Sequence, residues 1–424
     1  MEKLLVRGGA RLRGTVRVNG AKNAVLPILA ATVLTPERCR VAGTPRLRDV
    51  EVMAAILRGL GVEVETQGDP AGEGRLITVQ AREVSGCEIP DRLMREVRSS
   101  IFLMGPLLAR VGRVKMSHPG GCAIGPRPID YHLRGLERLG ARITERHGYI
   151  YAEAPAGLRG AEVDLDFPSV GATENLIMAA VLAQGLTVIR NAAREPEIVD
   201  LEMFLNSMGA RVRGAGTHTV RVEGVAGLHG AEHRVIPDRI EACTLMIAAV
   251  ATRGEVTLKD VIPQHVQAVA SKLREAGAVV EEEAGGLRVV CRCRPRAVDF
   301  KTLPYPGLPT DVQPQMMALM CGAEGTSVIT ETVFENRFTQ AEELRRMGAD
   351  IRVDGRTAVV RGVPRLSGAT LEATDLRNCA ALVIAGLVAE GSTVVERVEH
   401  LDRGYQDFEL KLRRLGADLR RVRA

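Results

Sequence analysis

The sequence predicts a two-domain α/β protein built from six copies of one unit, three to each domain. Three observations carry this expectation. Six times a helical stretch runs into a glycine and then a strand-like tail: Leu60-Gly61-Val62, Leu139-Gly140-Ala141, Met208-Gly209-Ala210, Ala276-Gly277-Ala278, Met347-Gly348-Ala349 and Leu415-Gly416-Ala417. These glycines lie 79, 69, 68, 71 and 68 residues apart, and caps recurring at one period mark a repeated unit. Nearly all-apolar helical stretches alternate with amphipathic ones and with short β-branched runs, the pattern of an α/β chain. The chain's 424 residues also exceed the roughly 250–300 at which one hydrophobic core stops growing.

Each unit follows one order of elements. An Ala-rich apolar helix comes first, expected at 21–34, 99–110, 172–184, 242–253, 314–324 and 377–390. Helices apolar on every side are buried. A short strand rich in β-branched residues follows, as in Thr187-Val188-Ile189 or Thr393-Val394-Val395. Next comes an amphipathic helix nearer the surface, which stops on the glycine because that residue has no Cβ to clash in the left-handed region. Two strands joined by turn signals then close the unit, such as 220–222 with 231–236, or 358–361 with 370–373.

The chain starts in mid-unit. Strand pieces stand at 4–7 and 15–18, and Leu12–Gly14 has the Leu-x-Gly form that returns at Leu158–Gly160, Leu228–Gly230 and Leu366–Gly368. The final unit ends after Gly416 without closing strands. The N-terminal strands are therefore expected to complete it. That assigns residues 22–236 to one domain and residues 1–21 plus 237–424 to the other.

Composition excludes several classes. Lys and Arg number 57 against 52 Asp and Glu, a net charge of +5, and the basic residues are scattered, which argues against nucleic acid as a partner. Aromatics make up 3% with no Trp, a poor supply for base stacking. The apolar run at 380–388 is too short to span a bilayer. Eight cysteines in a chain this long form neither a disulfide framework nor a metal-ligand spacing. The start runs directly into strand-like sequence without a signal peptide, so the expectation is a cytoplasmic protein that acts on small molecules, with no membrane and no obligate protein partner.

The most informative segment for chemistry is Pro119-Gly120-Gly121-Cys122-Ala123-Ile124-Gly125-Pro126-Arg127-Pro128-Ile129-Asp130. Its glycines and prolines make a loop, and a thiol near cationic side chains is suited to nucleophilic or proton-transfer work. An incidental loop cysteine is the bland alternative. Lys22-Asn23 opens the first apolar helix, where the N-terminus already favours anions; a capping turn with a solvated lysine accounts for the same residues. Arg98, Arg377 and Arg403 stand at turns and helix starts, with a planar fork suited to carboxylate and phosphate, although each alone reads equally well as a surface ion-pair partner. Asp311 in Pro309-Thr310-Asp311 is a helix cap or a general base. No metal-ligand cluster, Walker loop or dinucleotide fingerprint occurs. The residues alone imply a two-domain enzyme for an anionic, phosphorylated substrate.

Five stretches, namely Gly20-Ala21-Lys22-Asn23-Ala24, the Cys122 loop, 193–200, Glu331-Thr332-Val333-Phe334-Glu335-Asn336-Arg337-Phe338 and Ala373-Thr374-Asp375-Leu376-Arg377, closely resemble the UDP-N-acetylglucosamine 1-carboxyvinyltransferase family of the EPSP synthase superfamily. The resemblance covers essentially the whole chain. It implies a two-domain inside-out α/β barrel with three pseudo-repeats per domain, six in all, and an active site in the cleft between them. It also implies transfer of the enolpyruvyl group of phosphoenolpyruvate to the 3′-hydroxyl of UDP-N-acetylglucosamine with release of phosphate, the committed step of peptidoglycan synthesis, without metal or cofactor.

Carried over residue by residue, Cys122 matches the family's general acid and Asp311 the residue at the sugar hydroxyl. Lys22, Arg127 and Arg403 match phosphoenolpyruvate contacts. Asn23, Arg98, Arg127, Pro128, Ile129, Asp130, Tyr131, Ser169, Val170, Gly171 and Val333 match the nucleotide-sugar region, and Arg377 lies in the Thr374-Asp375-Leu376-Arg377 motif. Tyr131, Cys243, Leu308 and Asn378-Cys379 depart from the usual residues without removing a group the reaction needs. Two competing readings are a transferase of the same fold with another acceptor alcohol, and a non-catalytic repeat scaffold that binds anions.

Overall fold

The computed structural model describes residues 2–70, 74–118 and 128–423. Six helices within it end in the same way. Gly61, Gly140, Gly209, Gly277, Gly348 and Gly416 all have φ between 86 and 98°. In the first copy the Gly61 N–H donates to the Arg58 carbonyl and the Val62 N–H to the Leu57 carbonyl, both at 3.0 Å; the last repeats this with Gly416 to Arg413 and Ala417 to Leu412. This is the Schellman closure, with its hydrophobic contact between the residue after the glycine and the residue five before it. That earlier residue is leucine in every copy (Leu57, Leu136, Leu205, Leu273, Leu344 and Leu412), and each is fully buried. The side chain that follows it then reaches forward to the next strand. Arg58 donates to the Val64 carbonyl, Asn206 to Val212, Arg274 to Val280 and Arg345 to Ile351.

The apolar helices form at Lys22–Ala31, Met104–Val111, Val170–Ala180, Arg239–Ala251, Gln313–Cys321 and Leu376–Val388. In the last, eleven of 13 residues are buried. The second is shorter than its apolar run because Arg98–Leu103 winds as a 3-10 turn, and Pro106, which has no N–H to give a preceding carbonyl, falls in the first turn of the α-helix that follows. Where heads are capped by side chains, Ser169, Asp238 and Asp375 accept from backbone N–H groups of the first turn.

Each unit contributes a small sheet with one strand order. Leu186–Arg190 pairs in parallel with Glu162–Asp164 and antiparallel with Thr219–Glu223, which pairs with Arg211–Arg213. Glu255–Lys259 is likewise flanked by Arg13–Arg17 in parallel and by Gly286–Val290, beyond which lies Val279–Glu283. Five sheets have four strands in this arrangement; the sixth, Arg113–Ser117 with Tyr149–Glu153 and Arg142–Arg146, replaces the parallel strand by an isolated bridge between Glu88 and Lys115. The Leu-x-Gly glycines mark where the parallel strand begins. A Cβ on Gly160, Gly230 or Gly368 would lie 2.2–2.4 Å from a backbone oxygen of the neighbouring strand.

The pairing corrects the expected unit boundary in two places. Glu2–Arg7 lies between Ser392–Glu396 and Asp418–Arg423 and closes the sixth sheet, but Arg13–Arg17 joins the fourth unit at Glu255–Lys259 instead of the sixth. Similarly, Glu232–Arg234 does not pair with Thr219–Glu223. It runs parallel to Arg38–Thr44 of the first unit. Within the other units the strand before a buried helix pairs in parallel with the strand after it, as Glu162–Asp164 does with Leu186–Arg190 and Thr370–Glu372 with Ser392–Glu396, the crossover that parallel strands require. Arg13–Arg17 and Glu232–Arg234 exchange these two places.

The described residues group into two compact units, one of residues 2–19 and 237–423, the other of residues 20–70, 74–118 and 128–236. In the first, helix Gln313–Cys321 packs against Arg239–Ala251 and Leu376–Val388. In the second, Val170–Ala180 packs against Met104–Val111 and Lys22–Ala31. In each unit the apolar helices occupy the middle and three sheets lie outside, with strands that alternate buried and exposed residues. This is the inside-out α/β arrangement.

Candidate active site

In the unit of residues 20–236, the site residues stand at the heads of the buried helices. Lys22 is the first residue of its helix, and its Nζ lies 2.6 Å from Asp49 Oδ2 with both side chains largely buried. Asp49 comes from the first turn of helix Arg48–Gly59, whose N-terminus favours a carboxylate. Half-buried Asn23 follows, and Pro27 has no N–H to offer the Asn23 carbonyl.

Asn175, fully buried on helix Val170–Ala180, joins the other expected binding segments. Its Nδ2 donates to the Ile101 carbonyl and approaches His132 Nδ1, each at 3.0 Å, while its Oδ1 accepts from the Gly105 N–H at 2.7 Å. The 3-10 turn that begins at Arg98, the helix that begins at Asp130 and the Ser169-Val170-Gly171 cap are thereby held together. Gly171 is glycine for a local reason: a Cβ there would sit 3.3 Å from the His132 ring. Ser169 Oγ accepts from the Ala172 N–H. Asp130 Oδ2 accepts from Arg134, whose guanidinium lies 5.2 Å from the Tyr131 ring. Pro128 is exposed and Ile129 buried. Cys122 and Arg127 lie outside the described residues.

In the other unit, the helix heads meet on Tyr405. Its hydroxyl bonds Thr244 Oγ1 at 2.9 Å and accepts from Gln315 Nε2 at 3.1 Å, and Arg377 lies over its ring at 5.3 Å. These three partners come from the three buried helices of the unit. Burial pushes the Tyr405 phenol above its ordinary range, so it stays neutral. Arg377 Nε and Nη2 both donate to Asp311 Oδ2, at 3.1 and 2.8 Å. Burial opposes the Arg377 charge, but the Asp311 carboxylate and Tyr405 outweigh it and the guanidinium is held charged. Arg337, almost fully buried, lies 3.5 Å from Asp311 Oδ1 and donates to the Thr310 carbonyl. Arg403 ends the 3-10 turn Val398–Arg403. Next to it, Gly404 leaves room for Leu376, since a Cβ there would meet that side chain at 2.7 Å. Val333 donates its N–H to Glu331.

Sequence reasoning missed Asp49 and Asn175, and named Tyr405, Glu331 and Arg337 only as letters in a motif. Asp49 reads as an ordinary first-turn carboxylate, and the partners of Asn175 and Tyr405 stand tens of residues away. A separate cavity of about 220 Å³ is lined by Cys243, His265, Tyr305 and Pro309 among others, without a carboxylate, ammonium or guanidinium; it does not suit an anion.

Chemically, each unit presents cationic side chains at the N-terminal ends of buried helices, where unpaired N–H groups add partial positive charge. Such ends are prepared for phosphate and carboxylate groups. Among the described residues no group of His, Cys, Asp or Glu could hold a metal ion, and no helix is long and apolar enough to cross a membrane.

The whole fold recurs in solved structures. The enolpyruvyl transferase NikO from Streptomyces tendae superposes with a TM-score of 0.89 at 27% identity, over 100% of this chain and 99% of that one. EPSP synthase from Acinetobacter baumannii superposes with a TM-score of 0.77 at 19% identity, over the full length of both. Repeats, helix-head cations and these superpositions define an enolpyruvyl-transferase fold. The family model for EPSP synthase (3-phosphoshikimate 1-carboxyvinyltransferase) matches residues 6–412. UDP-N-acetylglucosamine 1-carboxyvinyltransferase 1 from Symbiobacterium thermophilum is 61% identical over 99% of this chain and 95% of its own length, and its namesake from Carboxydothermus hydrogenoformans is 53% identical over 100% and 99%. The chain belongs to the EPSP synthase family, and within it to the UDP-N-acetylglucosamine 1-carboxyvinyltransferases.

Proposed function

We propose that this chain transfers the enolpyruvyl group of phosphoenolpyruvate to the 3′-hydroxyl of UDP-N-acetylglucosamine. The observation that carries the reading is the 61% identity to a transferase of that name over 99% of the chain. The helix-head cations Lys22 and Arg377 support it, because both reactants are anions. In this reading Cys122 protonates the methylene carbon of phosphoenolpyruvate while the sugar oxygen bonds to the adjacent carbon. Asp311 takes the hydroxyl proton. Loss of a methyl proton and of the phosphate then restores the double bond. Lys22, Arg127 and Arg403 hold the phosphate and carboxylate as charge redistributes. Asn23, Arg98, Arg127–Tyr131, 169–171 and Val333 seat the nucleotide sugar. The reaction belongs to peptidoglycan synthesis in the cytoplasm.

Phosphate release from phosphoenolpyruvate, measured with UDP-N-acetylglucosamine and separately with shikimate 3-phosphate, tests the acceptor. Turnover with the first alone is expected; turnover with the second alone would overturn the reading. Cys122→Ser is expected to abolish or strongly impair release, and an unaffected variant would remove Cys122 from the role. A fosfomycin-like epoxide is expected to add one mass increment at Cys122 when the nucleotide sugar is present.

A further inference from the structure

Glu331 is 1% exposed, and its carboxylate is met by hydroxyls and backbone N–H groups. Oε1 accepts from Thr302 Oγ1 at 2.7 Å, from the Val333 N–H at 2.8 Å and from the Phe334 N–H at 3.1 Å. Oε2 accepts from Thr310 Oγ1 at 3.0 Å. A buried charge is tolerated only when such bonds replace its water, and bonds to an ionised acceptor are roughly twice as strong as neutral ones. Phe300–Lys301 already pairs with Ile329–Thr330, and Thr332 bonds Thr302; the Glu331 carboxylate extends that connection to Thr310, beyond the paired strands. Thr310 is the neighbour of Asp311, and its carbonyl is held from the other side by Arg337 Nε at 3.3 Å. Val333 is the residue matched to the nucleotide sugar. Thr302 and Thr310 also bracket the turn between them, which is closed by the Leu303 N–H to the Leu308 carbonyl.

We propose that Glu331 is a positioning residue for the acceptor sugar: it sets the spacing between Asp311 and Val333 without touching substrate. The inference rests on the proposed function. Its direct consequence is a difference between the two substrates, since none of the groups that Glu331 holds is matched to phosphoenolpyruvate.

Thr310→Val removes one of the four bonds and keeps the side-chain shape. It is expected to lower kcat/KM for UDP-N-acetylglucosamine about 10- to 100-fold, the effect of a small misplacement at a reacting group. The KM for phosphoenolpyruvate should stay within twofold and the thermal midpoint close to that of the unsubstituted protein. Thr310→Ser, which restores the hydroxyl, should recover most of the loss. Glu331→Gln keeps an acceptor for the three donors at Oε1 and should fall between Thr310→Val and Glu331→Ala. A Thr310→Val enzyme with unchanged acceptor kcat/KM, a KM for phosphoenolpyruvate raised as much as that for the acceptor, or no rescue by serine would overturn the inference while leaving the function intact. An unsubstituted protein inactive with UDP-N-acetylglucosamine would overturn both.

Discussion

Arg377 commits two of its N–H groups to one oxygen of Asp311, Oδ2, at 3.1 and 2.8 Å, so the carboxylate is held from its side by a rigid fork. Lysine has the charge but not the fork, and cannot reproduce both bonds. Arg377→Lys is expected to lower kcat by about 10- to 100-fold with a modest stability loss. Asp311→Ala leaves the buried Arg377 and Arg337 beside an empty position. Removing one partner of a fully buried pair costs about 3–5 kcal/mol, and the 28% exposure of the Asp311 side chain makes that the upper end of the expected loss. Urea denaturation should show that larger loss. Equal stability of the two variants would mean that the pair is not a structural unit.

Lys22 is oriented by Asp49 at 2.6 Å, with side-chain exposures of 12% and 3%. Asp49→Asn keeps the shape and removes the counter-charge. The ammonium should then sample other positions, and the KM for phosphoenolpyruvate is expected to rise about tenfold, equivalent to roughly 1.4 kcal/mol of binding. The KM for the nucleotide sugar should change less. Steady-state kinetics with each substrate varied in turn check this, and an unchanged KM for phosphoenolpyruvate would show that the helix head alone orients Lys22.

Asn175 satisfies the Ile101 carbonyl, the Gly105 N–H and His132 Nδ1 from one amide. Asn175→Ala strands a buried N–H and a buried carbonyl, each at about 1–3 kcal/mol. Asn175→Asp keeps the acceptor for Gly105 but has no donor for Ile101. Both variants are expected to unfold at lower denaturant concentration, alanine by about 2–4 kcal/mol. Because this amide joins the Arg98, Asp130 and Ser169 segments, the KM for the nucleotide sugar should rise in any variant that still folds.

The features legible in the sequence are those whose physics is local. A glycine stop needs only a leucine four residues back, and Leu344 and Gly348 stand close enough in the chain to be read together. Helix burial was legible for the same reason, since every side of 377–387 is apolar or capped. Strand partners were not. Arg13–Arg17 pairs with Glu255–Lys259 across more than two hundred residues, and no local pattern distinguishes that strand from Glu2–Arg7. The site divides along the same line. Lys22, Asp311 and Arg377 advertise themselves at helix starts, whereas Tyr405 acts through Thr244 and Gln315, 161 and 90 residues away.

Glu174 gives the protein a stability that depends on pH in an unusual direction. It lies fully buried on helix Val170–Ala180, and neither carboxylate oxygen has a hydrogen-bond partner among the described residues. Burial, then the like charges of Glu197 and Glu195, hold its pKa well above the ordinary 4.5. Above that ordinary value the unfolded chain has released the proton while the folded chain still binds it. The unfolded state therefore binds fewer protons, and folding stability falls as pH rises through this window. The slope is at most about 1.4 kcal/mol per pH unit, and it ends at the folded pKa. Glu174→Gln has no proton to lose and a similar shape, so its stability relative to the unsubstituted protein should rise as pH increases above the ordinary carboxyl value of 4.5, until the folded carboxyl itself ionises. Urea denaturation of both proteins across that range measures the difference. If it stays constant, Glu174 ionises in the fold as it does in water, and the buried carboxyl is already charged at neutral pH.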